Sequence, residues 1–341
     1  MKISKRIIKY AFGVGVVLGL IIGSIIYLNI WAPNVDNSGV IYITKNDSRA
    51  SVIQKLHKQD IVRDTSSLSW VMNLKKYSRI RTGMYTINKG TSNNGIVNKL
   101  RSGSQDPIRL TFNNIRTKEE FAGRISKVLS LDSLQILNKM NDEDYISSLG
   151  FNTNTIIGMF IPNTYDMYWD ISLNSFFHKM EKEYEKFWTK ERKAKAKKAC
   201  ISPMGAIIIA SIIEEETIQP EEYPIIAGVY INRLNRGIRL SACPTLKFAL
   251  GDFEIKRILN KHKEIDSPYN TYKHRGLPPG PIRQPSINVV DHVLNYKKHK
   301  YLYFCAREDF SGYHNFSKTL RQHNKYADKY RKELNKRHIY R

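Results

Sequence analysis

Residues Tyr10 to Trp31 (YAFGVGVVLGLIIGSIIYLNIW) form a run of 22 without a formal charge. As a helix such a run extends about 33 Å, enough to cross the hydrocarbon core of a bilayer. A cleavable signal peptide has a shorter apolar core, about 7–15 residues, ending at small residues. This run ends Asn29-Ile30-Trp31-Ala32-Pro33, so it reads as an uncleaved transmembrane anchor. Lys2, Lys5, Arg6 and Lys9 precede it with no acidic residue among them. That bias places a cytoplasmic tail at 1–9, the span at 10–31, and everything later outside the cytoplasmic (inner) membrane.

The rest of the 341 residues is long enough to bury real cores, and 41% hydrophobic content excludes a disordered chain. The net charge of +24 calls for an anionic neighbour. No RNP pattern, zinc-finger spacing or helix-turn-helix signature accompanies it, so nucleic acid is not the expected partner. Anionic lipid head groups or an acidic wall polymer suit a translocated chain. Cys200, Cys243 and Cys305 are odd in number and far apart, which predicts small buried residues rather than a disulfide framework. The nine histidines form no compact ligand pattern, and neither metal nor cofactor is expected.

Beyond the anchor a repeat occurs at an offset of 44 residues: GVIYITKNDSRASVIQKL (39–56) aligns with GMYTINKGTSNNGIVNKL (83–100). Each copy predicts a short strand, a polar turn, a serine N-cap (Ser48, Ser92) and an amphipathic helix. This pattern is similar to LysM modules, which bind N-acetylglucosamine-containing glycans; a duplicated folding unit without a ligand fits the same residues. A boundary near 105 closes this subdomain (32–105). The connecting region, 106–200, predicts helices over 117–137 and 173–198, the second ending in the solvated charge run TKERKAKAKK. Between them GMFIPNTYDMYW (158–169) is a loop or strand rich in aromatic surface.

The last region, 201–341, holds the remaining signals. Five glutamates, Glu214, Glu215, Glu216, Glu221 and Glu222, fall within nine residues directly after an oily helix, AIIIASII (206–213). A second helix, AGVYINRLNRG, stops at Gly237, where a left-handed cap costs glycine little. The proline-rich stretch SPYNTYKHRGLPPGPIRQPS (267–286) predicts a stiff extended loop. YLYFCARED reads as a buried strand, followed by His314, Phe316 and a basic closing helix.

In order and spacing, ASIIEEET, AGVYINRL, PYNTY, GLPPGPI, YLYF and HNFSKT...HN, with GMFIPNTY upstream, resemble the endolytic murein transglycosylase (MltG, YceG-like) family. The resemblance implies an α+β chain: one N-terminal transmembrane helix, a LysM-like α+β subdomain, then a mixed α+β catalytic domain. It implies a lyase that cuts peptidoglycan glycan strands internally at MurNAc-β-1,4-GlcNAc bonds, without water. The product ends are 1,6-anhydro-MurNAc, and the enzyme limits the length of nascent strands beside peptidoglycan polymerases. A non-catalytic peptidoglycan-binding scaffold with the same module is the competing reading.

This chemistry gives the glutamate run a reason. Hydrolytic glycosidases use two carboxylates, whereas attack by the substrate's own C6 hydroxyl needs one acid that stays protonated near neutral pH. Burial and neighbouring negative charge both raise a carboxyl pKa. The resemblance places the catalytic acid at Glu214; helical spacing by itself leaves Glu215 and Glu216 open. Expected substrate-binding residues are Asn232, Arg233, Tyr269, Asn270, Tyr272, His314 and Asn324. Cys243-Pro244-Thr245 stands where the family commonly has Asp-Pro-Thr, Pro162-Asn163-Thr164 where it has Pro-Asp-Thr, and Ile157-Gly158 where it has Glu-Gly. For a second carboxylate Glu221, Glu222 and Asp266 remain.

Overall fold

The computed structural model describes residues 5–255 and 258–338. The chain divides into two compact units, residues 1–110 with 165–171, and residues 111–164 with 172–341.

The first unit begins with α1 (Lys5–Trp31). Its 23-residue segment Lys9–Trp31 contains an 18-residue stretch of mean hydropathy 2.4 that is unburied by protein, which fits a single-pass membrane anchor. Its last turn is held by the unit itself. Ile30 joins the core, and the Asn29 carbonyl accepts from Asn93 Nδ2 at 2.9 Å. There follow β1 (Gly39–Ile43), α2 (Arg49–Lys58), α3 (Thr65–Leu74), β2 (Gly83–Ile87) and α4 (Asn93–Ser102). β1 and β2 pair antiparallel, with Ile41 opposite Tyr85.

The 44-residue repeat is a physical one. Ser48 and Ser92 cap α2 and α4, accepting from Ser51 N and Gly95 N. The repeated lysines do the same work in each copy: Lys55 Nζ donates to the Tyr42 carbonyl (2.8 Å) and pairs with Asp47, while Lys99 Nζ donates to the Thr86 carbonyl (3.0 Å) and pairs with Asp106. Each ammonium therefore ties a helix to the strand before it. Val52, Leu56, Val97 and Leu100 fill the core beneath.

Next in chain order are β3 (Ile108–Phe112), α5 (Lys118–Ser126), α6 (Ser133–Asn141), α7 (Glu143–Ser148) and β4 (Asn163–Met167), with β3 pairing β4. The single helices expected over 117–137 and 173–198 are each two. Asp132 starts α6 by accepting from Gln135 N, and Thr189 separates α8 (Leu173–Phe187) from α9 (Lys190–Lys198) by accepting from Arg192 N. The charge run of α9 is solvated apart from Ala196 and from Arg192, whose guanidinium pairs with Asp291 through two 2.9 Å bonds.

The second unit is organised around α10 (Pro203–Glu216), which opens with Ser202 at the cap and Pro203 at the first position. Every residue from Gly205 to Ile213 is buried, so the helix is enclosed on all sides. Around it lie α11 (Tyr223–Asn235), α12 (Cys243–Leu250) and α13 (Ile287–Leu294). β5 (Tyr303–Ala306) pairs antiparallel with β6 (His314–Ser317), Ala306 lying opposite His314, and α14 (Leu320–Lys336) closes the chain. β5 is half-buried rather than buried, and all four of its residues border a cavity. The loop over 267–286 contains neither helix nor strand. No cysteine is disulfide-bonded: Cys200 is exposed, and Cys243 and Cys305 are half-buried along that cavity, not in the core as expected.

Candidate active site

An α-helix turns 100° per residue, so three consecutive carboxylates at its end must face three different neighbours. Glu214 meets the start of α13, where the Ser286 backbone N–H donates to both its oxygens (3.3 and 3.1 Å) and Arg283 Nε lies 3.5 Å away. Glu215 accepts from Arg116 Nη2 (2.7 Å) and Arg283 Nη1 (2.6 Å). Both carboxyls are thus engaged by arginines, and Glu214 by a helix N-terminus as well.

Glu216 faces elsewhere. Its Oε1 accepts a 2.9 Å hydrogen bond from Tyr230 Oη on α11, and the carboxyl lines a cavity of ≈ 510 Å³. That volume suits a small oligosaccharide segment. Burial raises the Glu216 pKa above the ordinary 4.5, opposed only in part by Tyr230, His314 and Lys247. The cavity wall includes Arg233, Cys243, Tyr272, Tyr303, His314 and His323. Cys243 Sγ lies 3.2 Å from Tyr272 Oη, and burial followed by the nearby Glu216 charge pushes its thiol up to about 11. Burial likewise raises the phenols of Tyr230 and Tyr272. The wall therefore carries neutral hydroxyls and a neutral thiol beside the cations of Arg233, Lys263 and Arg331, with one carboxyl among them biased toward its acid form.

Of the residues expected to bind substrate, Arg233, Tyr272 and His314 line this cavity. Arg233 is also structural, donating to the carbonyls of Leu302 (2.6 Å), Leu240 (2.6 Å) and Arg239 (3.1 Å). Asn232 is used within the fold, its Nδ2 bonding the carbonyls of His299 (2.8 Å) and Tyr301 (3.0 Å). Asn270 is fully buried; Nδ2 donates to the carbonyls of Lys263 and Ile265, and Oδ1 accepts from Tyr272 N. It sets the loop that presents Tyr272. Tyr269 packs on Phe248 and lines a different cavity, ≈ 300 Å³, with Arg116, Lys118 and Asn154. Asn324 is exposed on α14 and is not part of the wall, whereas His323 beside it is.

Glu221 and Asp266 are exposed. Glu222 is buried against His314, with Oε2 and Nδ1 2.7 Å apart. Burial pushes its carboxyl up, but the His314 and Thr217 hydrogen bonds outweigh this and hold its pKa below the ordinary value. Sequence reasoning passed over Tyr230 and His323. Tyr230 falls two turns after Tyr223 within AGVYINRL, a pattern that core packing explains equally well; its contact with Glu216 is visible only in three dimensions. Among the described residues no group of histidine, cysteine and carboxylate side chains is placed to hold a metal ion.

Comparison with known proteins adds three findings. Residues 41–329 match the YceG-like family. An endolytic murein transglycosylase of Bacillus subtilis is 31% identical over 306 residues, spanning 85% of this chain and 84% of that protein. One from Streptococcus pneumoniae is 26% identical over 310 residues, spanning 80% of this chain and 55% of that longer protein. Among solved structures, a yceG-like protein from Listeria monocytogenes superposes with a TM-score of 0.55 at 28% identity, covering 85% of this chain and 99% of that one.

Proposed function

This chain belongs to the YceG-like family, and on that premise we propose that it is a membrane-anchored endolytic lytic transglycosylase of peptidoglycan in which Glu216 is the proton donor. The observation that supports Glu216 over the expected Glu214 is its place: it is the one carboxyl of the three on the large cavity, and burial biases it toward the protonated form. Glu214 and Glu215 are tied to Ser286, Arg116 and Arg283, and neither lines that cavity.

In this reading a glycan strand lies in the cavity with a MurNAc-β-1,4-GlcNAc linkage at Glu216. Tyr230 holds Oε1, which fixes the carboxyl plane and leaves Oε2 to carry the proton. Glu216 protonates the linking oxygen, the C1–O bond breaks, and the C6 hydroxyl of the muramyl sugar closes on C1 to give the 1,6-anhydro end. Tyr272 and Arg233 on the wall supply a hydroxyl and a cation to the sugar and its lactyl carboxylate. The strand–helix–helix–strand order of residues 39–87 and its repeated lysines support a glycan-holding role for the first unit. Lys2, Lys5, Arg6 and Lys9, ahead of the uncharged run, support an N-terminus in the cytoplasm and a catalytic unit on the outer side, beside peptidoglycan polymerases and able to limit strand length.

Mass spectrometry of fragments released from peptidoglycan by the full chain in detergent tests this. The expected fragments are internal and end in anhydro-muramic acid, one water lighter than hydrolysed equivalents. Reducing ends would make the chain a hydrolase; an undigested substrate would support a glycan-binding scaffold.

A further inference from the structure

The cavity holds a second acid–base group that the proton-donor step leaves unused. Glu222 and His314 are 4% and 8% exposed, and they meet through two bonds: the His314 backbone N–H donates to Oε1 at 2.7 Å, and ring Nδ1 lies 2.7 Å from Oε2. Thr217 Oγ1 donates to Oε2 as well, at 3.2 Å. These three donors engage both oxygens of Glu222. Its effect is on the ring. With Nδ1–H given to the carboxylate, the imidazole takes the tautomer whose Nε2 carries a lone pair. Phe304, edge-on at 5.3 Å between centroids, fixes the ring plane. The ring lines the same cavity as Glu216 and is near enough to act on the Glu216 charge, and Nε2 has no hydrogen-bond partner among the described residues.

We propose that His314, oriented by Glu222, is the base that takes the proton from the C6 hydroxyl as it attacks C1. This rests on the reading of Glu216 as proton donor. A single carboxyl can act as base only after it has released its proton, whereas a separate base lets the C6–O–C1 bond form while the C1–O bond to the leaving sugar breaks. The protons balance. Glu216 gives one to the departing oxygen, His314 Nε2 receives one from C6–OH, and the imidazolium then returns it to the Glu216 carboxylate, directly or through solvent. Nothing is oxidised or reduced. The other groups on the wall are less suited: the Cys243 thiol and the Tyr230 and Tyr272 phenols hold their protons, and His323 stacks on Tyr303 with no carboxylate behind it among the described residues.

The test is the kinetics and pH dependence of strand cleavage by the full chain in detergent. The charged and titratable groups around His314 are Glu222 and Glu216, with Arg233, Lys263, Arg331 and His323 elsewhere on the wall. The wild-type rate should fall at high pH as Glu216 ionises. His314→Gln should lower kcat by about 10²-fold and leave KM nearly unchanged. Glu222→Gln, which keeps the ring but removes the carboxylate that orients it, should lower kcat by a smaller factor, about 10-fold, again at unchanged KM. Should His314→Gln fold poorly, Glu222→Gln decides alone. A kcat within a few-fold of wild type in both variants, or a loss confined to KM, overturns the proposal and leaves His314 a binding residue. Glu216→Gln run alongside separates the two readings: full activity there sinks the proton donor itself, while an inactive Glu216→Gln beside an active His314→Gln sinks only the base.

Discussion

Glu216→Gln lowers glycan-strand cleavage by about 10²–10⁴-fold, the range for loss of a positioned general acid, while Glu214→Gln leaves cleavage within a few-fold of wild type. The asymmetry follows from what each carboxyl touches. A Gln at 216 still accepts from Tyr230 Oη, so the cavity keeps its shape and loses only the transferable proton. A Gln at 214 loses charge against Arg283 and the first turn of α13, a local electrostatic cost. Kinetics of the two variants on the same strand preparation decide the matter. A silent Glu214→Gln enzyme beside an active Glu216→Gln enzyme would return the acid to the first glutamate of the run.

Arg233→Ala is expected to destabilise the second unit by on the order of 3 kcal/mol, and Asn232→Ala by on the order of 2 kcal/mol, from the penalty for leaving buried or half-buried carbonyls without donors. Arg233 serves the carbonyls of Leu240 and Leu302, both nearly buried, and Asn232 those of His299 and Tyr301. Together they fasten α11 to the segment that leads into β5, and β5 forms one side of the cavity. Thermal unfolding of the full chain in detergent checks the size of both effects. For Asn232→Ala, turnover per folded molecule should persist; its loss at unchanged stability would restore Asn232 as a substrate contact.

These two residues show where sequence reading stopped. INRL is a recognisable motif, and its polar pair invites a ligand, yet most of its hydrogen-bonding capacity is spent on backbone about 70 residues later in the chain. Long-range pairing of that kind leaves no local trace. The repeat in the first unit was legible because its parts are local: a serine cap and a lysine reaching back 13 residues recur at the same offset in both copies. The division of two expected helices was also written locally, in Asp132 and Thr189 as caps, but the apolar spacing runs on through both breaks and masks them.

Periodicity leaves the choice among the three glutamates open for a different reason. Amphipathicity identifies a face only when a helix has one, and α10 is buried all round from Gly205 to Ile213. The stripe arriving at Glu214 is therefore no more inward than the one arriving at Glu216. What separates them is the chemistry of the facing elements: an arginine and a helix start for Glu214, a tyrosine and a cavity for Glu216. Cys243 on the same wall belongs to this set: its thiol is neutral, and burial is the main cause of the raised Glu216 pKa.

The most direct measurement is a carboxyl titration of the full chain with isotope-labelled glutamate, taking the difference between wild type and Glu216→Gln to isolate one signal. The expected result is a Glu216 carboxyl that stays protonated above the ordinary 4.5 of a glutamate side chain and ionises as the high-pH limb of cleavage falls. A Glu216 signal that titrates at or below that value, with cleavage continuing well above it, would contradict Glu216 as the proton donor.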